Sequence, residues 1–225
     1  MPRSRASAPS AGRRRRYPAS TRQALVDEAR RLFTEQGYAA TSLDAVVAAA
    51  DVTKGALYHH FQGKTALFAE VFDAVETDAA ARISTAVAAA GDPWDTARAG
   101  LSAFLDVVRE PSYRRIVVQD GPAVLGYERF RESEERSTFA CVTEIVRAIL
   151  GDEAWAGHPW ARDEEMLRTF ARIFFGALSS AGEAVTGAED PEAAAARVEV
   201  AVGLIIAGLQ ALATAPTHVA PDTPR

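Results

Sequence analysis

The sequence predicts an all-α chain in two parts, a small three-helix module at the N-terminus and a larger helical domain behind it. Three observations carry this. From Ser20 to about Ala213 the apolar residues recur at three- and four-residue spacing. No stretch shows the strict alternation of a half-buried strand. Gly37, Gly91-Asp92-Pro93 and Gly121-Pro122 punctuate the periodic segments where helices must stop or start. At 225 residues and 48% hydrophobic content, the chain can bury one large core, or a small module plus a larger domain.

Residues 1–17 are rich in Arg, Ser, Pro and Ala with almost no large apolar side chain, which predicts a disordered basic arm. Order begins at Ser20, where Ser20-x-x-Gln23 fits a capping box. Leu25, Ala29, Leu32, Phe33 and Gln36 continue the helical period to Gly37, which supplies a left-handed stop. A second helix starts after Thr41-Ser42, with Leu43, Val46, Val47 and Ala50 spaced i, i+3, i+4, i+7. Asp51-Val52 makes a tight turn, Thr53 caps a third helix over Lys54 to His60, and Leu57 and Phe61 fix it to the first two. Three short helices, the last two joined by a tight turn, form a helix-turn-helix.

The remainder reads as helix throughout. A long one runs from Lys64 to about Ala90 with Phe68, Phe72, Val75, Ala79 and Ile83 along one side. Another follows Gly91-Asp92-Pro93 to about Arg109, and a short one covers Ser112 to Gln119. A helix from Gly121-Pro122 extends to Leu150, "GDEAWAGHPW" forms a loop, and two last helices span about Asp163–Thr186 and Pro191–Ala213. No internal repeat is visible, and the tail from 214 to 225 is predicted to lack structure. The domains are therefore expected at 18–66 and 67–213, between the arm and the tail.

Charge divides along the same line. Through Lys64 there are 11 basic against 5 acidic residues, a surplus of +6, while the rest carries 14 against 25, so the net −5 hides a basic head on an acidic body. That asymmetry fits a polyanion partner for the head, or a solvated tail. The single cysteine, Cys141, excludes an intrachain disulfide and suits a reducing cytoplasm. No run of about 18 apolar residues free of charge occurs, so no membrane span is expected. The arginines near the start lack the apolar region of an export signal.

The stretch "DVTKGALYHHFQGKT" ends like a phosphate-binding loop, but the glycine such a loop needs five places before Gly63 is Tyr58, and helix rather than strand precedes it. His59 and His60 are adjacent, hence about 100° apart on a helix, and cannot converge on one ion. Neither a metal nor a cofactor is expected. The last helix of a helix-turn-helix enters the DNA major groove instead, which is about 12 Å wide.

The run "LFTEQGYAATSLDAVVAAADVTKGALYHHFQGKTALF" makes the match specific. Through Gly37-Tyr38, Thr41-Ser42, Thr53-Lys54-Gly55 and Leu57-Tyr58-x-x-Phe61-x-x-Lys64-x-x-Leu67, residues 20–68 resemble the DNA-binding module of the TetR (tetracycline-repressor-like) family of bacterial regulators. One departure is Asp51, where the family usually has a turn glycine. Tyr58 and Lys64 are expected at phosphates: lysine opposes the dipole at a helix start, and a phosphate there reverses the sign. Thr41, Ser42 and Thr53 can cap helices or donate to phosphates. Base reading falls to Lys54, Gly55, Ala56 and His60, with Gly55 explained by close approach to DNA or by helix crowding. Arg15 and Arg16, within Arg13–Arg16, can enter a minor groove or act by charge alone.

The resemblance further implies a small-molecule pocket and a two-fold four-helix bundle. The central helices carry Phe72, Phe104, Tyr127, Phe170 and Phe174, with Val108 and Val117, on faces expected to point inward, where pocket and ordinary core are both open readings; Gln119 and Asp120 could orient a ligand. Val198, Val202, Ile205, Leu209 and Leu212 space 4, 3, 4, 3 as a seam for a second copy, but Val200, Leu204 and Ile206 make the other side apolar too, so an intrachain core stays open. No paired carboxylates, nucleophile–base set or cofactor loop supports an enzyme. The expectation is a cytoplasmic homodimeric DNA-binding regulator released from a palindromic operator by an apolar or amphipathic effector, with an effector-independent activator or architectural factor as the alternative.

Overall fold

The computed structural model describes residues 18–156 and 158–214. The head comprises α1 (Pro18–Ala40), α2 (Leu43–Ala49) and α3 (Lys54–His60). The body follows with α4 (Lys64–Ala88), α5 (Pro93–Arg109), a π-helical segment Tyr113–Asp120, α6 (Gly121–Leu125), α7 (Tyr127–Arg136) and α8 (Thr138–Leu150). Two 3₁₀ turns, Glu153–Trp155 and Pro159–Arg162, lead to α9 (Glu164–Thr186) and α10 (Pro191–Thr214). Helix α1 starts at Pro18 rather than at a Ser20 cap, so Ser20 sits within the first turn. Proline is welcome at a first helical position because its missing N–H is one of the unpaired donors there.

The head is built by local chemistry. Gly37 breaks α1 with φ 77° and ψ 169°, an extended positive-φ kink rather than a left-handed helical one. Ser42 Oγ accepts from the Ala45 amide at 3.1 Å, and Thr53 Oγ1 accepts from the Ala56 amide at 3.2 Å. Each cap satisfies a donor the helix start would leave unpaired, worth about 1 kcal/mol. Between them Asp51 takes φ 52°, at the position where a glycine would carry no strain. Leu25, Phe33, Val46 and Leu57 are fully buried, each contributing about 1.5–3 kcal/mol. This core continues along α4 through Leu67, Phe68, Val71 and Phe72 into the body, so head and body share one apolar spine.

The body departs from expectation between residues 113 and 150. The short helix there is π-helical, and the single helix expected from Gly121 to Leu150 is three pieces. The first break falls at Gly126, with φ 77°. The second is at Ser137, with φ −117° and ψ −95°, where the hydroxyl donates to the Ser133 carbonyl at 2.8 Å and to the buried Glu76 carboxylate of α4. The loop after α8 is tightened by its two 3₁₀ turns, with Trp155 and Trp160 packed at 5.4 Å.

Helix α10 packs on α5 and α9. Among the described helices it is the one long and apolar enough, by length and composition, to cross a bilayer. That follows from its being apolar all round, with Ile206 buried against the body while Val200, Leu204, Ile205 and Leu212 stand exposed.

Candidate nucleic-acid interface and ligand cavity

On the head, the exposed surface of α3 presents Lys54, Gly55, Tyr58 and His59, with His60 half-buried against Phe61. Tyr58 is 60% exposed, a large ring left in water. A β-carbon built on Gly55 would meet only Thr53 Oγ1 at 3.9 Å, so helix crowding does not explain this glycine. Open space above it suits close approach by something from outside. Lys54 Nζ lies 2.7 Å from the Asp44 carboxylate of α2, whose hydrogen bond holds the ammonium above its usual pKa. Both partners are well exposed, so the pair is weak.

Lys64 lies with Nζ 4.2 Å from the Tyr38 ring centre and 3.4 Å from the Ala39 carbonyl. Partial burial lowers its pKa, opposed by the charge of Asp120. Thr41 is not available to DNA: it is buried, and its hydroxyl donates to the carbonyls of Gly37 at 2.9 Å and Leu32 at 3.2 Å, closing the end of α1. Its place four residues after the helix-stopping glycine is the signal for that role. Arg15 and Arg16 lie outside the described residues.

A joint missed from sequence connects head and body. Asp120 accepts the Tyr38 amide at 2.8 Å, and Arg115 pairs with Asp120 at 3.3 Å and with the Gln119 side chain at 3.1 Å. The Arg115 guanidinium lies over Gly37, where an added β-carbon would fall 1.8 Å from it. Behind this joint Phe68 meets Phe33 and Tyr38 edge-on at 5.3 and 5.1 Å, and Phe33 and Tyr38 lie tilted at 5.9 Å. Gln119 therefore belongs to the joint and a shallow surface pocket beside it, where Arg115 claims its amide oxygen, and not to an interior ligand site.

Among the cavities of the body, two adjoin. An apolar chamber of about 80 Å³ is lined by residues including Ile83, Trp94, Leu101, Ile145, Phe174 and Val202. A second of about 120 Å³ includes Val108, Tyr113, Val117, Phe130, Glu134 and Glu183, and shares Phe104, Thr138 and Phe175 with the first. Phe104, Val108, Val117 and Phe174 thus line interior space, and Phe170 lines a smaller one of about 40 Å³ that also touches Phe174. Two expected lining residues are placed elsewhere. Phe72 is fully buried in the core at 5.7 Å from Phe130, and Tyr127 is 71% exposed, its hydroxyl accepting from Arg131.

The acidic side of the second cavity went unread in the sequence, because its carboxylates come from different helices. Burial, and then the charge of Glu76, pushes Glu134 up to about 7, with Arg131 opposing. Glu76 itself is buried; burial raises its pKa, the hydroxyls of Ser137, Tyr113 and Thr138 oppose that rise, and its Oε2 accepts from Ser137 and Thr138.

The seam on α10 is also redistributed. Val198, Val202 and Leu209 are half-buried against the body, and Val202 and Leu209 line the chamber, so they do not face outward. Ile205 (53%) and Leu212 (66%) do, together with Val200, Leu204 and, on α9, Ile173. The heptad spacing could not separate these faces, since residues on both sides of α10 are apolar.

Residues 25–71 match the family described as bacterial regulatory proteins, tetR family, and residues 94–209 match the tetracyclin repressor-like C-terminal domain. The Transposon Tn10 TetC protein of Escherichia coli is 29% identical over 158 residues, 69% of this chain and 77% of that protein. The HTH-type transcriptional activator FasR of Mycolicibacterium smegmatis is 31% identical over 155 residues, 67% of this chain and 69% of FasR. The crystal structure of a TetR-family transcriptional regulator from Pectobacterium atrosepticum superposes with a TM-score of 0.70 at 30% identity, covering 88% of this chain and 97% of that one.

Proposed function

This chain belongs to the TetR family of bacterial regulatory proteins, which makes it a DNA-binding transcription regulator rather than an enzyme, and on that premise we propose that it is a homodimeric repressor that releases a palindromic operator when a small amphipathic effector enters its body. The head spans 18–66 and the body 67–213, the boundary falling inside α4. Each α3 lies in a major groove, with Lys54, Gly55, Ala56 and His60 toward base edges and Ser42, Thr53, Tyr58 and Lys64 toward phosphates. Arg15 and Arg16 add sequence-independent affinity that falls as salt rises.

The open face of α9 and α10 supports the dimer. Leu204, Ile205, Leu212 and Ile173 are apolar and exposed, and Gly176 and Gly208 have nothing within 4 Å of an added β-carbon, so two copies can approach closely. Pairing these helices gives a four-helix contact that fixes the separation of the two heads.

The observation that carries the effector reading is the segment Tyr113–Asp120. Tyr113, Val117 and Val118 line the second cavity, while Arg115 and Asp120 of the same segment grip Gly37 and Tyr38 of the head. A ligand that displaces Tyr113 or Val117 moves the clamp on α1, and with it the angle of the head. Two heads that no longer match grooves about 34–36 Å apart lose the operator.

The test begins by selecting fragments of the host genome on the full-length protein and measuring affinity against a scrambled duplex. Recovery of a palindrome bound two chains per site is expected. Equal affinity for both duplexes would overturn the reading. The genes flanking the recovered fragments then supply effector candidates, and one that releases the palindrome decides for the repressor over the effector-independent alternative.

A further inference from the structure

We infer that the two adjoining cavities form one bipartite site for an amphipathic organic cation, its ammonium held in the acidic, aromatic cavity and its apolar chain in the chamber behind. This rests on the effector reading above and names the ligand class of that site. The cavity that would take the head group is lined by Phe104, Tyr113, Phe130 and Phe175, with Glu134 and Glu183 as its charged members and no Lys, Arg or His. Aromatic faces with carboxylates favour a weakly hydrated cation and disfavour an anion.

The negative charge is not cancelled from within. Arg131, the nearest guanidinium to act on Glu134, is committed to Glu135 at 2.9 Å and to the Tyr127 hydroxyl at 3.1 Å. Glu134 and Glu183 have no ion pair among the described residues, and the charge of Glu183 adds to the rise in the Glu134 pKa. Glu76 lies one layer deeper, bonded through Thr138, a residue both cavities share. A neutral or anionic ligand would leave these carboxylates uncompensated, whereas a cation relieves their repulsion. Next to them the chamber offers Ile83, Leu101, Ile145 and Leu178 but no charged side chain, which calls for a chain rather than a second polar group.

The groups facing Glu134 are Glu76 of α4, Tyr113 of the π-helical segment, Arg131 and Glu135 of α7, and Glu183 of α9. Acid is the dominant sign, which holds Glu134 partly protonated near neutrality. Binding a permanent cation should therefore strengthen as pH rises from 6 to 8, by at most about tenfold for one carboxylate.

The experiment titrates the full-length protein with decyltrimethylammonium, decanol and decanoate by calorimetry at pH 8, below their micelle concentrations. The three share a ten-carbon chain and differ in head charge. The cation should bind at least about tenfold more tightly than decanol, and decanoate most weakly. Glu134→Gln and Glu183→Gln should each remove most of the cation's advantage over decanol measured on the same variant, with thermal melts checking that both variants fold. Decanol or decanoate binding as well as the cation, or a preference untouched by both variants, overturns the cation site and leaves the effector reading standing. Binding of none of the three overturns this site, and the effector reading is then decided by operator release alone. Cation binding without operator release supports this site and sinks the coupling through Tyr113–Asp120.

Discussion

The two regions that share α4 use similar residues for opposite ends. In the head, caps, a positive-φ turn and a fully buried Leu57 and Phe33 fix three helices tightly enough to hold a surface for DNA. In the body, the same kinds of apolar side chain surround interior space, and carboxylates are left beside it without counter-ions. Backbone breaks at Gly126 and Ser137 replace continuous helix in the body, and the π-helical segment before them packs on α1 of the head. A reader must be rigid to discriminate, and a sensor must have somewhere to move. The contrast between the regions is that difference in packing, joined by the Arg115–Asp120 clamp on Gly37 and Tyr38.

The largest expected effect separates reading from assembly. Leu204→Glu places an ion on the exposed face of α10 without touching the head, so sedimentation should show monomers and operator affinity should fall more than about a hundredfold. A variant that stays dimeric would move the interface elsewhere. Next, Gly55→Leu should leave the fold intact, since the space above Gly55 is open, and raise helix propensity by up to about 1 kcal/mol. Operator affinity should nevertheless drop more than about tenfold, and melting and binding measured together reveal whether the glycine serves DNA or packing. Lys54→Ala should weaken the operator about tenfold and relax one base position per half-site, whereas Tyr58→Phe should weaken all duplexes alike.

Asp120→Ala cuts the clamp itself. Head and body should each keep their ligand, but effector and operator should antagonise one another severalfold less, which titrating one in the presence of the other measures. For stability against pH, the sign follows from Glu134, whose folded pKa of about 7 exceeds the 4.5 of the free side chain. The folded state holds the extra proton, so this group's contribution to stability falls as pH rises from about 4.5 through 7 and then levels off. Glu134→Gln should flatten that limb in denaturant melts, and an unchanged profile would mean the carboxylate is not strained. The smallest effect is Asp51→Gly, which should stabilise the head by about 0.5 kcal/mol by relieving φ 52°.

Much of the head was legible because its determinants are local. Ser42, Thr53 and Gly37 announce helix ends within a few residues, and α2 and α3 start and stop where those residues require. Thr41 escaped because a hydroxyl before a helix is ambiguous until its depth is known. In the body, residues far apart in sequence decide. The break at Ser137 is held partly by Glu76, sixty-one residues earlier, and nothing near Ser137 signals it. Likewise Tyr127 and Phe72 are both aromatic on helices, yet one stands in water and the other in the core. On α10, periodicity marked apolar residues but could not say which face meets the body and which is left open.

The central claim is that the body sets the separation of two reading helices, and an inter-label distance tests it most directly. A nitroxide on His59→Cys, in a Cys141→Ser background, sits on the exposed side of each α3. Pulsed dipolar spectroscopy of the full-length protein on its operator should give one narrow distance consistent with reading helices about 34–36 Å apart. Leu204→Glu should abolish the dipolar signal. A parent protein bound to its palindrome with no dipolar signal, or with a broad distribution far from that spacing, would contradict the account.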